Sequence, residues 1–314
     1  MIAIGDLHLK KKEPYYKNNK KFLDYLNDKY PYETLIFTGD ETDTSSPEWD
    51  VFDYFSTFVK NRKSPVYIIG GNHTYSYRKG SVLEGLQHVP NVHVILEPTE
   101  IILYNLKCLF LPYKYDAKEY EKLTGTYDYI FTHITPVECA FANEGIQLQV
   151  KGTRIHGHTH IQTDFIDKIT RDQHYVIGVP LPTRNGENQN HRILGIEDKQ
   201  VNIINIPKFM EIKTISYGHF PEEKDNLYNI TDAPSYDAVY QKYKDYYIRD
   251  KGISLLRTEL TQQTEEMFSV GSLREKLQKY LKDEKIVSKE VYACCFEVFD
   301  RYEAIKDKEI DVQH

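Results

Sequence analysis

Five times in the first 160 residues a short apolar run stops on residues that can ligate a metal, and no other feature limits the fold of this chain as strongly. The endings are Gly5-Asp6-Leu7-His8, Gly39-Asp40-Glu41-Thr42-Asp43, Gly71-Asn72-His73, Thr132-His133 and Gly157-His158-Thr159-His160. The runs are rich in Val, Ile, Tyr and Phe and read as strands at 1–4, 35–38, 66–69, 92–96, 107–111, 129–132, 152–156 and 174–177. Helix-like segments lie between them, which is the pattern of an α/β protein. Ionisable residues at strand ends sit where sheet-based enzymes keep their chemistry. One Asp-x-His alone carries little, but the ordered set supplies the carboxylate, amide and imidazole donors that suit hard or borderline divalent cations.

The remaining composition narrows the class. At 314 residues and 40% hydrophobic, the chain buries a sizeable core. No stretch approaches the roughly 18 to 20 apolar residues of a membrane span, and the first residues lack the regions of a signal peptide, so no membrane association is expected. Cys108, Cys139, Cys294 and Cys295 show no zinc spacing, and two are adjacent, which fits a reducing, cytoplasmic setting. The net charge of −7 opposes nucleic-acid binding as a bulk property. The acidic excess, however, lies mostly in residues 211–314, and bases cluster at 10–21, 61–63 and 78–79.

Three regions are expected: a large α/β domain at 1–206, a small α/β domain at 207–268, and a helical segment at 269–314. In the second, 209–217 reads as a strand, followed by a polar linker through Pro234, a tyrosine-rich helix near 235–247 and a strand near 254–260. In the third, Leu273, Leu277, Tyr280 and Leu281 recur at helical spacing. That face either packs on the parent domain or binds a partner.

The five motifs, spanning residues 6–160, resemble the calcineurin-like metallophosphoesterases. The resemblance implies a four-layer sandwich of two β-sheets flanked by helices, with two metal ions at one edge. Carried over position by position, Asp6, His8, Asp40 and His160 hold one ion, and Asp40, Asn72, His133 and His158 hold the other. Two cations roughly 3.5–4 Å apart stabilise both the attacking and the leaving oxygen of an in-line displacement at phosphorus. His73 is left free of metal and takes the family's general-acid role. The family often has an acidic residue directly after this histidine, and here it is Thr74, so the group orienting His73 is either that hydroxyl or a distant carboxylate. Asp43 either acts beside the metals or caps a turn, and His156 is read as a packed histidine in preference to a further ligand.

The branch is argued outside the ligand set. Protein Ser/Thr phosphatases of this class continue the second motif with Arg-Gly and the third with Glu, and this chain has neither. The stretch from Gly178-Val-Pro180 through Arg184 and Glu187 resembles the Gly-x-Pro turn that follows the last metal motif in SbcD-like nucleases. That branch also continues past its catalytic domain into a cap and a helical segment that binds a coiled-coil ATPase resembling SbcC. The brevity of the chain resembles the compact, often phage-encoded, members of the group.

The expectation is therefore a DNA repair and recombination nuclease subunit, exonucleolytic on duplex ends and endonucleolytic on single strands. It would use two Mn2+, with Mg2+ as the alternative ion, and a homodimer is left open. Lys10, Lys11, Lys12, Arg78, Lys79 and Arg184 are the candidate DNA contacts. The rival readings are a phosphodiesterase for cyclic nucleotides or other small phosphoesters, and a non-enzymatic scaffold.

Overall fold

The computed structural model describes residues 1–76, 80–114, 116–120, 122–139, 145–187 and 190–255. Arg78, Lys79 and the whole expected 269–314 segment lie outside them.

The apolar runs pair as expected for strands buried on both faces. Ile2–Ile4, Leu35–Phe37, Val66–Ile69 and Val92–Ile95 are neighbours in that order, all parallel. Arg192–Glu197 and Gln200–Asn205 add two antiparallel strands beyond Ile2–Ile4 and complete a six-stranded sheet. A second six-stranded sheet has the spatial order Thr163–Ile166, Gln173–Val176, Lys151–His156, Thr126–Thr132, Leu106–Leu111, Thr99–Leu103, with only its two edge strands antiparallel.

Side chains alternate across each strand, so each sheet offers two faces. Ala3, Ile36, Tyr67 and Ile69 of the first sheet meet Phe110, Tyr129, Phe131 and Ile155 of the second in a shared core. The opposite face of the first sheet, with Ile2, Ile4, Phe37 and Ile68, packs on two helices, α1 (Tyr15–Lys29) and α2 (Trp49–Lys60). Those helices bury Phe22, Leu23 and Leu26, and Val51, Phe55, Phe58 and Val59, the spacing of one helical face. The outer face of the second sheet is covered differently. Leu109, Leu111 and Ile130 lie under Tyr120, Ile134, Leu148 and Val150, which come from short 3-10 turns and loops and not from α-helices.

Beyond Pro207 the reading changes in two places. The expected polar linker contains a strand, Leu227–Ala233, because Tyr228, Ile230 and Ala233 close a small core with Val239, Tyr243 and Ile253. A strand also runs over Tyr247–Leu255, and the remainder of the strand expected near 254–260 lies outside the described residues. With Ile212–Ser216 these make a three-stranded sheet, which carries one short helix, α3 (Tyr236–Lys242). Lys17 and Lys21 of α1 hold Asp225 at 2.7 and 2.8 Å, and Asn229 donates to Asn185 at 3.0 Å. Residues Met1–Ser254 thus form one compact unit. No helix among the described residues is long and apolar enough to cross a membrane.

Candidate metal centre

Parallel pairing sends the ends of the central strands the same way, so residues far apart in sequence converge at one edge of the sandwich. The turns there are tight. His8, Asp40 and His158 adopt φ of 46°, 53° and 68°, a left-handed conformation uncommon for residues with a side chain and associated with functional turns. A Cβ at Gly71 would overlap the Asp40 carboxylate, and one at Gly39 would overlap the His133 ring. These two motif glycines are required by the close approach of the residues they face.

Three sets of potential ligands result: Asp6, His8 and His160; His8, Asp40 and His73; Asp40, His133 and His158. Within each set the donor atoms lie within 4.8 Å of one another, and Asp40 belongs to two of them. His133 Nδ1 points at the Thr38 carbonyl oxygen, 2.7 Å away. Its Nε2 then faces Asn72 Oδ1 at 3.0 Å, Asp40 Oδ2 at 3.2 Å and His158 Nδ1 at 3.2 Å. At the other set, His8 Nε2 and His160 Nε2 face each other at 2.9 Å; His160 Nδ1 points at the Glu187 carboxylate at 2.9 Å, and His8 Nδ1 lies 3.3 Å from the Asp43 carboxylate without a hydrogen bond to it. Asp6 Oδ2 is buried and has no hydrogen-bond partner. Lone pairs aimed at one another around an orphaned carboxylate oxygen are a poor arrangement for neutral groups and a good one around cations. The residues present therefore fit divalent metal ions of the borderline class.

The titration behaviour agrees. Burial opposes a charge on His133, but Asp40, by charge and hydrogen bond, and Asp6 outweigh it and push the imidazole up to about 9. Burial also works against an ionised Asp40, yet His133 holds it well below the usual carboxylate range. A proton on His133 thus stands in for positive charge that a cation would otherwise provide. Since a ligating imidazole must lose that proton, apparent metal affinity is expected to fall as pH drops below about 9, by about tenfold per unit for one proton displaced. Calorimetric titration with Mn2+ across pH 6–9, in buffers of different ionisation enthalpy, measures this directly. A pH-independent affinity with no proton release is the outcome against it.

His73 does not depend on Thr74. Its Nδ1 lies 2.8 Å from the backbone carbonyl oxygen of Asp43, while the Thr74 hydroxyl bridges the N–H and C=O of Gly71 and so shapes the turn. The His73 N–H donates to Asp40 Oδ1 at 2.8 Å. Asp43 consequently serves two rings: its carbonyl faces His73 and its carboxylate faces His8.

Two carboxyls near the centre carried no expectation from the sequence. Glu41 is fully buried with neither oxygen hydrogen-bonded, and burial pushes it up to about 8. Glu187, 27 residues beyond His160, is opposed by burial but held down to about 2 by the hydrogen bond and charge of His160 and by the backbone N–H groups of Thr183 and Arg184.

Other candidates are placed away from this centre or are engaged. His156 packs against His174, with Nε2 to Nδ1 3.3 Å and both rings buried, as a packed histidine. Lys10 lies 3.3 Å from Asp43 and 4.1 Å from the Tyr15 ring centre, and Lys11 pairs with Asp50 at 3.0 Å. Lys12 and Arg184 are exposed.

Residues 1–175 match the model of the calcineurin-like phosphoesterase family, Metallophos. No curated protein matches. Among solved structures, the chain is similar to an archaeal phosphodiesterase at 17% identity and a TM-score of 0.38, covering 65% of this chain and 98% of that one. It is similar to a single mutant of Vps29 from Entamoeba histolytica at 15% identity and 0.32, covering 65% and 97%. It is also similar to the Pseudomonas putida nuclease MPE at 14% identity and 0.32, covering 64% and 86%. The family model spans more than half of the chain and all five motifs, and the chain belongs to the calcineurin-like phosphoesterases, a family of metal-dependent phosphoester hydrolases.

Proposed function

We propose that the chain is a two-metal phosphodiesterase that cuts DNA, the nuclease subunit of an SbcCD-like repair complex. The observation that carries the two-metal reading is Asp40, whose carboxylate lies 3.2 Å from His133 and 4.0 Å from His8 and so belongs to both ligand sets. Asp6, His8, Asp40 and His160 are assigned to one ion, and Asp40, Asn72, His133 and His158 to the other. Mn2+ is the proposed ion, since mixed imidazole and carboxylate donors suit it. Divalent cations held there supply Lewis-acid stabilisation of the phosphoryl oxygens and lower the pKa of the attacking water.

The protein's own groups complete the reaction. With Nδ1–H donated to the Asp43 carbonyl, the doubly protonated ring of His73 is the form that offers a proton from Nε2. As the attacking water oxygen bonds to phosphorus, the P–O bond to the leaving group breaks and its electron pair passes to the leaving oxygen, which takes the Nε2 proton and leaves His73 neutral. Asp43 keeps the His73 ring in place through its carbonyl, and its carboxylate lies 3.3 Å from His8 Nδ1.

The DNA reading is supported by the loop that carries the SbcD-like turn, which folds back so that Val179 N–H donates to the His160 carbonyl at 3.2 Å. Exposed Arg184 lies on the same loop. In the same proposal, residues 269–314 dock on the coiled-coil ATPase through Leu273, Leu277 and Leu281. Lys10 is better spared in a test of DNA binding, because its ammonium is engaged with Asp43 beside the centre.

The combined Lys11→Ala, Lys12→Ala and Arg184→Ala variant is expected to weaken binding of linear duplex DNA. It should also reduce the logarithmic salt slope by up to about three, while turnover of a small chromogenic phosphodiester holds. Fluorescence anisotropy at several salt concentrations reads the binding, and absorbance reads the turnover. Unchanged DNA affinity and slope would favour the small-phosphoester reading, which the pairing of Lys10 and Lys11 with acids supports.

A further inference from the structure

His160 approaches the centre with Nε2 foremost, 2.9 Å from His8 Nε2 and 3.9 Å from Asp6 Oδ2. Its other nitrogen turns outward into the loop that follows the second sheet. Nδ1 lies 2.9 Å from Oε1 of Glu187, a side chain that is only 4% exposed. The second carboxylate oxygen is occupied as well. Oε2 accepts from Thr183 N–H at 2.6 Å, Arg184 N–H at 2.9 Å and the Thr183 hydroxyl at 3.0 Å. The carboxylate therefore cannot swing away from the ring without abandoning three donors, two of them backbone N–H groups of the turn. The Thr183 hydroxyl also lies 3.2 Å from His160 Nδ1, and because its hydrogen goes to Glu187, it too can only accept from the ring.

From this geometry we infer that Glu187 is the positioning residue of the centre: it holds the neutral ring of His160 in the tautomer with the proton on Nδ1, so that the Nε2 lone pair faces the cation. Acceptors oriented in this way fix both the ring and the tautomer of a ligating histidine, and their loss typically costs about 10–100-fold in metal affinity. The effect is local to the ion assigned to Asp6, His8, Asp40 and His160. His133, assigned to the other ion, has its tautomer set separately by the Thr38 carbonyl.

Glu187→Gln is the informative substitution because it preserves shape and reverses one polarity. The three donors of the turn claim the amide oxygen, which leaves the amide NH2 facing His160 Nδ1. An NH2 group only donates. The Nδ1 lone pair must then receive it, and the ring proton moves to Nε2, between the ring and the cation. Thr183→Val is the control, since it removes the hydroxyl but leaves the carboxylate against Nδ1.

The inference rests on the ligand assignment proposed above, so the test reads the ring and the metal separately. Two-bond 1H–15N spectra of the metal-stripped full chain, 15N-labelled at histidine and recorded where imidazoles are neutral, report which nitrogen of His160 carries the proton. The signal is assigned with a His160→Gln variant. Calorimetry with Mn2+ alone reports the number of ions and their affinities. The expected result is an Nδ1 proton in the wild type and in Thr183→Val, and an Nε2 proton in Glu187→Gln. One of two Mn2+ steps should weaken about 10–100-fold in that variant while the other is unchanged. A Glu187→Gln protein that keeps the Nδ1 proton and both Mn2+ steps overturns the inference, as does a tautomer change in Thr183→Val in place of Glu187→Gln. A tautomer switch with an unaltered Mn2+ isotherm would instead remove His160 from the ligand set, so that the ligand assignment fails and the hydrogen-bond inference stands.

Discussion

Asp40→Asn is expected to reduce phosphoester hydrolysis to background and to leave the protein with at most one tightly bound ion. The carboxylate is 1% exposed, and each of its oxygens has a separate task. Oδ1 accepts the His73 N–H at 2.8 Å and so anchors the third motif, while Oδ2 lies between His133 Nε2 at 3.2 Å and His8 Nε2 at 4.0 Å. An amide in its place keeps the shape and one acceptor, but it removes the negative charge that both ligand sets share. Asparagine is also a better probe than alanine, because residue 40 sits at a φ of 53°, where asparagine is tolerated far better than most residues. Lost activity then reports the site and not a strained turn. Elemental analysis of the purified variant, together with turnover of DNA and of a chromogenic phosphodiester, measures the outcome. A variant that holds two ions tightly and turns over normally would show that Asp40 bridges nothing and would undo the ligand assignment.

What the sequence disclosed and what it hid divide along a physical line, with Arg192–Glu197, an inner strand buried at all but its last residue and absent from the expected strands, as the exception. The inner strands Ile2–Ile4, Leu35–Phe37 and Val66–Ile69 are buried at every position, so each reads as an unbroken apolar run. Edge strands such as Thr99–Leu103, Thr163–Ile166 and Gln200–Asn205 are half exposed and carry polar residues on one face, so they blend into loops. Leu227–Ala233 hid for a related reason: Asn229, Thr231 and Asp232 give it the composition of a linker, although Tyr228 and Ile230 are fully buried.

At the site, the candidate ligands were legible because their chemistry is written in side chains that follow the strands. The group that orients His73 was not legible, because it is the backbone carbonyl of Asp43, which every residue possesses. Glu187 was present in the turn that drew attention. Its place against His160 follows from the loop folding back, which side-chain identity does not encode. Lys10 illustrates the converse: a basic cluster beside a catalytic strand looks available in sequence, yet its first member is engaged with Asp43 and Tyr15.

His73→Ser is expected to lower kcat on DNA by about 10²–10⁴-fold, the usual contribution of a positioned general acid, while metal content and DNA affinity stay near wild type. The substitution is clean for a structural reason. The hydrogen bond to Asp40 comes from the His73 backbone N–H and survives the change, so the third motif remains anchored when the ring is removed. What disappears is the imidazole, with Nδ1 held by the Asp43 carbonyl at 2.8 Å and its ring centre 4.8 Å from that of His8, the two rings nearly perpendicular. A 3′ alkoxide is a poor leaving group and needs a proton as the P–O bond breaks, whereas nitrophenolate departs without one. The same variant should therefore lose much less on a nitrophenyl phosphodiester, and the ratio of the two losses isolates proton transfer from binding. The competing possibility is written into the geometry, because a donor atom of His73 lies within 4.8 Å of those of His8 and Asp40. If His73 holds metal, the serine variant will release an ion and slow both substrates equally, and the general-acid assignment then fails.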